Sequence, residues 1–365
     1  MKKLIFFVLV VVLAITACKK DDPEPELIMV SSVTLSNTTL TINVGYSENL
    51  VATILPDNAD DKSITWSSSK ESVATVDKNG RVTAVASGVA TIMAIAANGK
   101  NAICEIVVPL YGGTTGALSW ALMDDGTLTI RGEGSMLNFF NDVPWGDYWD
   151  KIKTIIISEG VTSIGERAFY SCTKLTSIII PEGVTSIGES AFSGCQDLPS
   201  ITIPESVTSI GDYAFYYCQK LSSITIPEGV TRIGDNAFAE CIKLTSITIP
   251  EGVTSIGWEA FGYCENLTSI TIPGSVTSIG RFAFIWSGLI NVTIPEGVTN
   301  IGDGVFGYCK NLTSVTIMAT TPPIIGAYNF EHNSDDTLYV PVGCVDLYKA
   351  DAAWNSAFTT ITEQP

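Results

Sequence analysis

Between Lys151 and Met318 one pattern of apolar and polar positions is written over and over. In the copy that runs from Leu221 to Cys241, the apolar Leu221, Ile224 and Ile226 alternate with Ser223 and Thr225, the two-residue period of a half-buried strand. Pro227 ends that strand, Val230 and Ile233 turn inward again, and Gly234 marks a corner where a Cβ or a negative φ is unwelcome. Ala237, Phe238 and Cys241 stand at i, i+1 and i+4, which predicts one face of a single helical turn packed over the strands. The phenylalanine recurs at Phe169, Phe192, Phe215, Phe238, Phe261, Phe284 and Phe306, spaced by 23 residues and by 22 at the last step. A fixed period of about 20 to 29 residues predicts a solenoid of stacked coils, because no coil can bury its own apolar face.

The flanks follow other patterns. Residues 30–108 hold short alternating runs such as Val33-Thr34-Leu35, Ile64-Thr65-Trp66, Val73-Ala74-Thr75-Val76 and Val82-Thr83-Ala84-Val85, spaced like the strands of a sandwich. Asn79-Gly80 and Asn98-Gly99 predict positive-φ hairpin turns. Residues 109–116, with Gly112-Gly113-Thr114-Thr115-Gly116, read as a flexible linker. Within 117–150, Trp120-Ala121-Leu122 and Leu128-Thr129-Ile130 flank Asp124-Asp125-Gly126 as a hairpin, and Trp145 and Trp149 follow. An end coil lacks a neighbour on one side, so these aromatics predict an N-terminal cap, and Tyr348, Trp354 and Phe358 in 319–365 predict a C-terminal one.

Two families are resembled. Ile64-Thr65-Trp66-Ser67-Ser68-Ser69, followed by the run from Val73 to Ala84, resembles the bacterial immunoglobulin-like group 2 domain. That likeness implies a small sandwich acting as spacer or adhesive module, with Trp66 in its core. The recurrent Ile-Pro-Glu-Gly-Val-Thr-Ser-Ile-Gly, with Ala-Phe and Cys after it, resembles the BspA-like, treponemal-type leucine-rich repeat family. Ser287 departs from the pattern by standing where other copies have cysteine. The resemblance implies secreted or surface proteins of host-associated microbes, several of them adhesins for host proteins. The expected fold class is thus mainly β: an Ig-like β-sandwich at 30–108, then a leucine-rich repeat solenoid of seven repeats at 151–318 with short helical turns and caps at both ends.

At the N-terminus Lys2 and Lys3 precede Leu4 to Ile15, a run of twelve mostly apolar residues and too short for the roughly 20 that span a bilayer. Residues 1–17 therefore read as a secretory signal. Ile15-Thr16-Ala17-Cys18 resembles a bacterial lipobox, which implies lipidation at Cys18 and membrane attachment through that anchor. Residues 18–29 form an acidic tether, and Lys19-Lys20-Asp21-Asp22 resembles the tags of lipoproteins facing outward from the outer membrane. A formal charge of −18 repels nucleic acid, which is not expected as a partner.

Catalytic chemistry is sparse. Cys172, Cys195, Cys218, Cys241, Cys264 and Cys309 occupy one repeat column, whose parallel side chains suit buried thiols better than disulfides or a metal. Gly302-Asp303-Gly304-Val305-Phe306-Gly307 satisfies the dinucleotide fingerprint, yet it aligns with an earlier coil and lacks the βαβ unit that phosphate binding needs. His332, the sole histidine, leaves no pair for a zinc site or for a histidine-dependent nucleophile. Asp124-Asp125 and Asp335-Asp336 read as solvated turns, and Glu182, Glu205, Glu228, Glu251 and Glu296 read as a solvated acidic ridge, with calcium binding the alternative. An enzyme is not expected, nor a cofactor or a metal.

Positions that vary between copies are not dictated by the scaffold, and there Tyr216, Tyr217, Trp258, Tyr263 and Trp286 are the candidate ligand-binding residues. The competing reading packs them between coils. The expected function is binding of extracellular macromolecules at the cell surface, with adhesion to host protein or matrix leading. Glycan capture beside a polysaccharide-uptake system, or a structural role, is the alternative.

Overall fold

The computed structural model of the chain describes residues 26–140, 142–331 and 337–365. The signal segment, Cys18 and the charges after it, His332 and Asp335-Asp336 lie outside the described residues.

The N-terminal unit is a sandwich. Thr39–Thr41, Asn101–Val108, Gly88–Ala96 and Ile64–Ser68 form a four-stranded sheet, and Ser47–Asn49, Arg81–Ala84 and Ala74–Val76 form a three-stranded one. Alternation along Gly88–Ala96 buries Ala90, Ile92 and Ala94, and Ile92 packs with Leu50, Val82, Cys104 and Ile106. Gly80 and Gly99 take φ of +82° and +85°, as their Asn-Gly pairs predict. Trp66 is half-buried at the margin of this core rather than inside it. Its ring lies over Gly80, where a Cβ would meet Trp66 Cζ2 at 2.7 Å.

Each repeat forms one coil with three hydrogen-bonded edges. The first is a parallel ladder of outer strands, as in Ser246–Thr248 beside Ser269–Thr271, where residues 23 apart pair in register. The second runs through the residues before the corner glycine, pairing Arg232–Ile233, Ser255–Ile256, Ser278–Ile279 and Asn300–Ile301 in sequence. The third carries the phenylalanines, and here backbone N–H groups donate forward to the next coil: Phe215 to Ala237 O and Phe238 to Ala260 O, both at 2.9 Å. Three ladders between coils, with turn bonds inside each coil such as Val230 N to Pro227 O and Leu244 N to Cys241 O, pair the backbone without a helix.

Inside the coils Phe192 to Phe306 form one stack, with centroids 5.4–5.5 Å apart and planes within 4–8°. Ring pairs of this kind contribute about 0.5–1.5 kcal/mol beyond the area they bury. At one end Trp145 stacks on Phe169 at 5.9 Å and donates from Nε1 to Ala168 O. At the other, Phe330 continues the row at 5.6 Å from Phe306, and Trp354 and Phe358 lie against it. Trp354 Nε1 donates to Pro323 O, and the Tyr348 hydroxyl donates to Ala319 O.

Three features differ from the sequence reading. The segment read as a flexible linker contains a strand, Tyr111–Thr115, paired antiparallel with Leu118–Leu122. Its glycines serve close approach rather than mobility, since a Cβ on Gly113 would come 3.2 Å from Trp120 Nε1. Ala237 to Cys241 does not make a helical turn; it is a run of hydrogen-bonded turns with left-handed residues at Asn236 (φ 55°) and Glu240 (φ 61°). The repeat also continues past Met318. Ile324–Ile325 pairs with Asn300–Ile301, Gly326 takes the corner, and Phe330 joins the stack. That coil is disguised because buried Asn329 replaces the small residue before the phenylalanine; its Oδ1 accepts from Val305 N, and its Nδ2 donates to Gly302 O and Gly326 O.

Candidate functional site

Two columns on the third edge have left-handed backbone. One lies two residues after the corner glycine: Arg167, Ser190, Tyr213, Asn236, Glu259, Phe282, Gly304 and Tyr328, with φ between 54° and 63°. The other lies two residues after the phenylalanine: Ser171, Gly194, Tyr217, Glu240, Tyr263, Trp286 and Tyr308, with φ between 58° and 77° except Trp286 at 56°. Left-handed backbone disfavours any residue with a Cβ by roughly 1–2 kcal/mol, and bulky side chains most visibly.

This geometry sorts the candidate residues. Tyr217, Tyr263 and Trp286 share the second column, and Tyr216 precedes it by one residue. Tyr216 and Tyr217 are half-buried against each other at 6.1 Å, with Tyr213 edge-on to Tyr216 at 5.8 Å. Tyr263 is 38% exposed. Trp286 is half-buried, stacks on Tyr308 at 4.7 Å with planes 8° apart, and has the Lys310 ammonium 4.7 Å from its ring centre. Trp258 is apart from these: it follows corner Gly257 and is 43% exposed. The aromatic strip is therefore interrupted rather than continuous, because Glu240 occupies the column between Tyr217 and Tyr263.

Charge on the neighbouring edge is organised differently. Asp212 Oδ1 accepts from Asp235 N at 2.8 Å and from the Arg232 guanidinium at 3.0 Å; Asp235 Oδ1 accepts from Trp258 N at 2.9 Å and again from Arg232 at 3.0 Å. An aspartate after the corner glycine thus ties its coil to the next. Asp212 and Arg232 border a shallow groove of about 460 Å³ over the second ladder, lined also by Ser186, Ser209 and Thr208. Sequence reasoning missed both left-handed columns, Glu240 and Glu259 among them. The available signal was that Gly194, Asn236 and Gly304, residues suited to positive φ, fall in columns otherwise held by Tyr, Phe, Trp, Glu, Ser and Arg.

The cysteine column is buried, and its thiols are free. Each reaches back one coil: Cys195 donates to Phe169 O, Cys218 to Phe192 O, Cys241 to Phe215 O and Cys264 to Phe238 O, at 3.2–3.3 Å. The departure at Ser287 keeps a small polar group there, its hydroxyl 3.2 Å from Cys309 Sγ. Burial pushes the Cys218 and Cys264 thiols up to about 12, and raises Cys172, Cys195 and Cys241 as well. These thiols stay protonated when folded but ionise near 9 when unfolded, so their contribution to stability is complete below pH 9 and is lost as pH rises toward 12. Thermal melts between pH 8 and 10.5 are expected to show a steep fall, up to about 1.4 kcal/mol per pH unit for each thiol exposed in the transition. A Cys218→Ala/Cys241→Ala variant is expected to have a shallower slope; an unchanged slope counts against the assignment.

The comparisons with known proteins agree with this architecture. The family model described as the BspA type leucine rich repeat region matches residues 148–257 and 231–349 in 6 copies, more than half of the chain. The chain belongs to the BspA-type leucine-rich repeat family. A bacterial Ig-like domain (group 2) model matches residues 29–106 of this BspA-type protein. BspA-type repeat proteins are cell-surface proteins, their repeats and Ig-like domains are typically non-catalytic, and the extended repeat surface suits protein binding. No helix among the described residues is long and apolar enough to cross a membrane.

Among solved structures, a leucine-rich repeat protein from Bacteroides ovatus is 26% identical, with a TM-score of 0.49 over 70% of this chain and 77% of that one. A leucine rich cell surface protein from Faecalibacterium prausnitzii is 23% identical, with a TM-score of 0.42 over 70% and 95% of the two chains. A lacto-N-biosidase of Bifidobacterium bifidum is 44% identical over 95 residues, which are 24% of this chain and 8% of that enzyme. An alpha-L-arabinofuranosidase of Bifidobacterium longum is 46% identical over 70 residues, 19% of this chain and 7% of that enzyme. The chain thus spans less than a tenth of either enzyme.

Proposed function

We propose that this BspA-type protein is an adhesin for host or matrix protein, anchored by lipid at Cys18 on the outer membrane and facing the cell exterior. In this reading the Ig-like unit is the spacer, and the third edge of the solenoid is the contact surface. The observation that carries it is the placement of Tyr213, Tyr217, Tyr263, Phe282, Trp286, Tyr308 and Tyr328 at left-handed positions where Gly194, Asn236 and Gly304 satisfy the same backbone. The third ladder imposes the left-handed backbone, but it does not require a bulky ring there, and strain kept in this way supports a functional role. Half-exposed tyrosine and tryptophan are also the side chains that dominate protein interfaces.

The test uses the chain lacking residues 1–18, screened for binding on matrix-protein and glycan arrays. A Tyr217→Asn/Tyr263→Asn/Trp286→Asn variant is expected to bind its ligand at least about tenfold more weakly, the loss of one hot-spot residue or more. Relief of left-handed strain offsets the lost ring contacts, so its stability is expected to stay within about 1–2 kcal/mol of the parent. Undiminished binding by the folded variant defeats the proposal. Glycan capture is the second reading, supported by the exposed side chain of Trp258 and, separately, by the hydroxyl-lined groove over the second ladder. Selective response on the glycan array, abolished by Trp258→Ala, decides for it.

A further inference from the structure

The two ends of the solenoid are closed unequally. At the N-terminal end the cap meets all three ladders: Thr127–Gly132 pairs with Thr154–Ile157, Gly134–Ser135 pairs with Val161–Ile164, and Phe139 N and Trp145 Nε1 donate to Glu166 O and Ala168 O. At the C-terminal end Thr337–Val340 and Thr360–Glu363 extend the first ladder, and Trp354 Nε1 takes Pro323 O on the second. There the cap stops. Ile324–Ile325 is left as the edge strand of the second ladder. Among the described residues nothing donates to Ile325 O, and nothing accepts from Tyr328 N or Phe330 N. The residues that carry these open groups line one trough of about 340 Å³, lined also by Ala353, Ser356 and Ala357 of the helix Ala352–Ala357.

Earlier coils show what such groups take. Ile256 O accepts from Gly280 N, and Glu259 N and Phe261 N donate to Arg281 O and Ala283 O, all at 2.8–2.9 Å. Their counterparts around corner Gly326 are Ile325 O, Tyr328 N and Phe330 N. One N–H, followed by carbonyls one and three residues further on, describes an extended backbone, a set that no single ion or sugar reproduces. Its first residue must lack a side chain: a Cβ on Gly280 would lie 2.6 Å from Gly257 C, and one on Gly326 would lie 2.6 Å from Gly302 C. We propose that the trough binds an extended segment of a partner protein, with glycine at that position, which joins the second and third ladders as the next rung. A second copy of this chain is a poor source, because its own Ser-Ile-Gly segments are already held in ladders and its N-terminal end is closed. The proposal goes beyond the contact surface above, since it uses backbone groups at the open end and not the aromatic side chains along the third edge.

Amide NMR on the chain lacking residues 1–18, isotope-labelled at tyrosine and phenylalanine nitrogen, tests the trough. The probe is acetyl-Ser-Ile-Gly-Arg-Phe-Ala-amide, a copy of Ser278 to Ala283. Its titration is expected to shift the Tyr328 and Phe330 amide resonances, while Phe238, whose N–H is held by Ala260 O, stays in place. Alanine in place of the probe's glycine is expected to weaken binding by about tenfold or more. Ala353→Leu, which fills the trough from the helix, is expected to do the same, and Asn355→Leu, on that helix but outside the lining, to leave affinity within about twofold. Melting curves verify that both variants are folded, and the pair of probes decides the matter even if Ala353→Leu is not. Unmoved Tyr328 and Phe330 resonances overturn the proposal. Equal affinity for the two probes overturns it too, because the register of the ladder is then not used. Shifts of the same resonances on raising the protein concentration without probe assign the trough to a second copy of the chain, and also overturn it.

Discussion

Gly280→Ala is expected to separate two coils. A Cβ there would lie 2.6 Å from Gly257 C, 2.7 Å from Gly257 O and 2.7 Å from Trp258 N, all backbone atoms that no rotamer change can move. The same corner donates from Gly280 N to Ile256 O at 2.8 Å, so the ladder must lengthen where it is tightest. Overpacking costs about 1–3 kcal/mol where side chains can yield, and here about 3 kcal/mol or more is expected because they cannot. The control is Gly274→Ala, where an added Cβ meets nothing within 4 Å and φ is not positive. That change is expected to be neutral or to stabilise by about 0.4–1 kcal/mol through the unfolded chain. Urea titrations of the two variants check the contrast. A Gly280→Ala protein as stable as the parent would show that the corner does not set the spacing of the coils.

Phe238→Ala is the second large effect. Its ring lies fully buried between Phe215 at 5.5 Å and Phe261 at 5.4 Å. Truncation leaves a cavity with walls held by three ladders, which limits collapse, so a loss of about 3–5 kcal/mol is expected. In a solenoid each coil touches only its neighbours, so a weakened middle coil also uncouples the two sides. Denaturation followed by circular dichroism is expected to change from one transition to two, with hydrogen exchange fastest around residues 215–261. A single transition with unchanged midpoint would mean that the phenylalanine stack contributes little to coupling.

The periodic part of the molecule was legible because its physics is local and repeated. A phenylalanine every 23 residues, with apolar positions on either side of a corner glycine, admits one economical burial, and the stack from Phe169 to Phe306 is its result. The Asn-Gly turns at Gly80 and Gly99 were legible for the same reason, since positive φ favours those residues. Glycines misled at 112–116. Their meaning depends on what approaches them, and Trp120 belongs to the next strand. The coil ending in Phe330 was missed because Asn329 satisfies by three hydrogen bonds a position that alanine fills in earlier coils by size alone.

The candidate site was legible only as a set of residue types. Variation marked Tyr216, Tyr217, Trp258, Tyr263 and Trp286 together, yet stacking places Trp258 at a different corner and brings Glu240 between Tyr217 and Tyr263. The left-handed backbone follows from the third ladder, in which alternate N–H groups must point to the next coil, and a ladder between coils is not written in any one of them.

By itself the sequence determined the period, the inward residues, the sandwich-then-solenoid order and the family, because each follows from local alternation and from apolar surface that one coil cannot hide. Only the tertiary structure decided which variable side chains are neighbours and which stand in left-handed backbone. Those depend on register between residues some 23 positions apart, and hydrogen bonds between coils set that register.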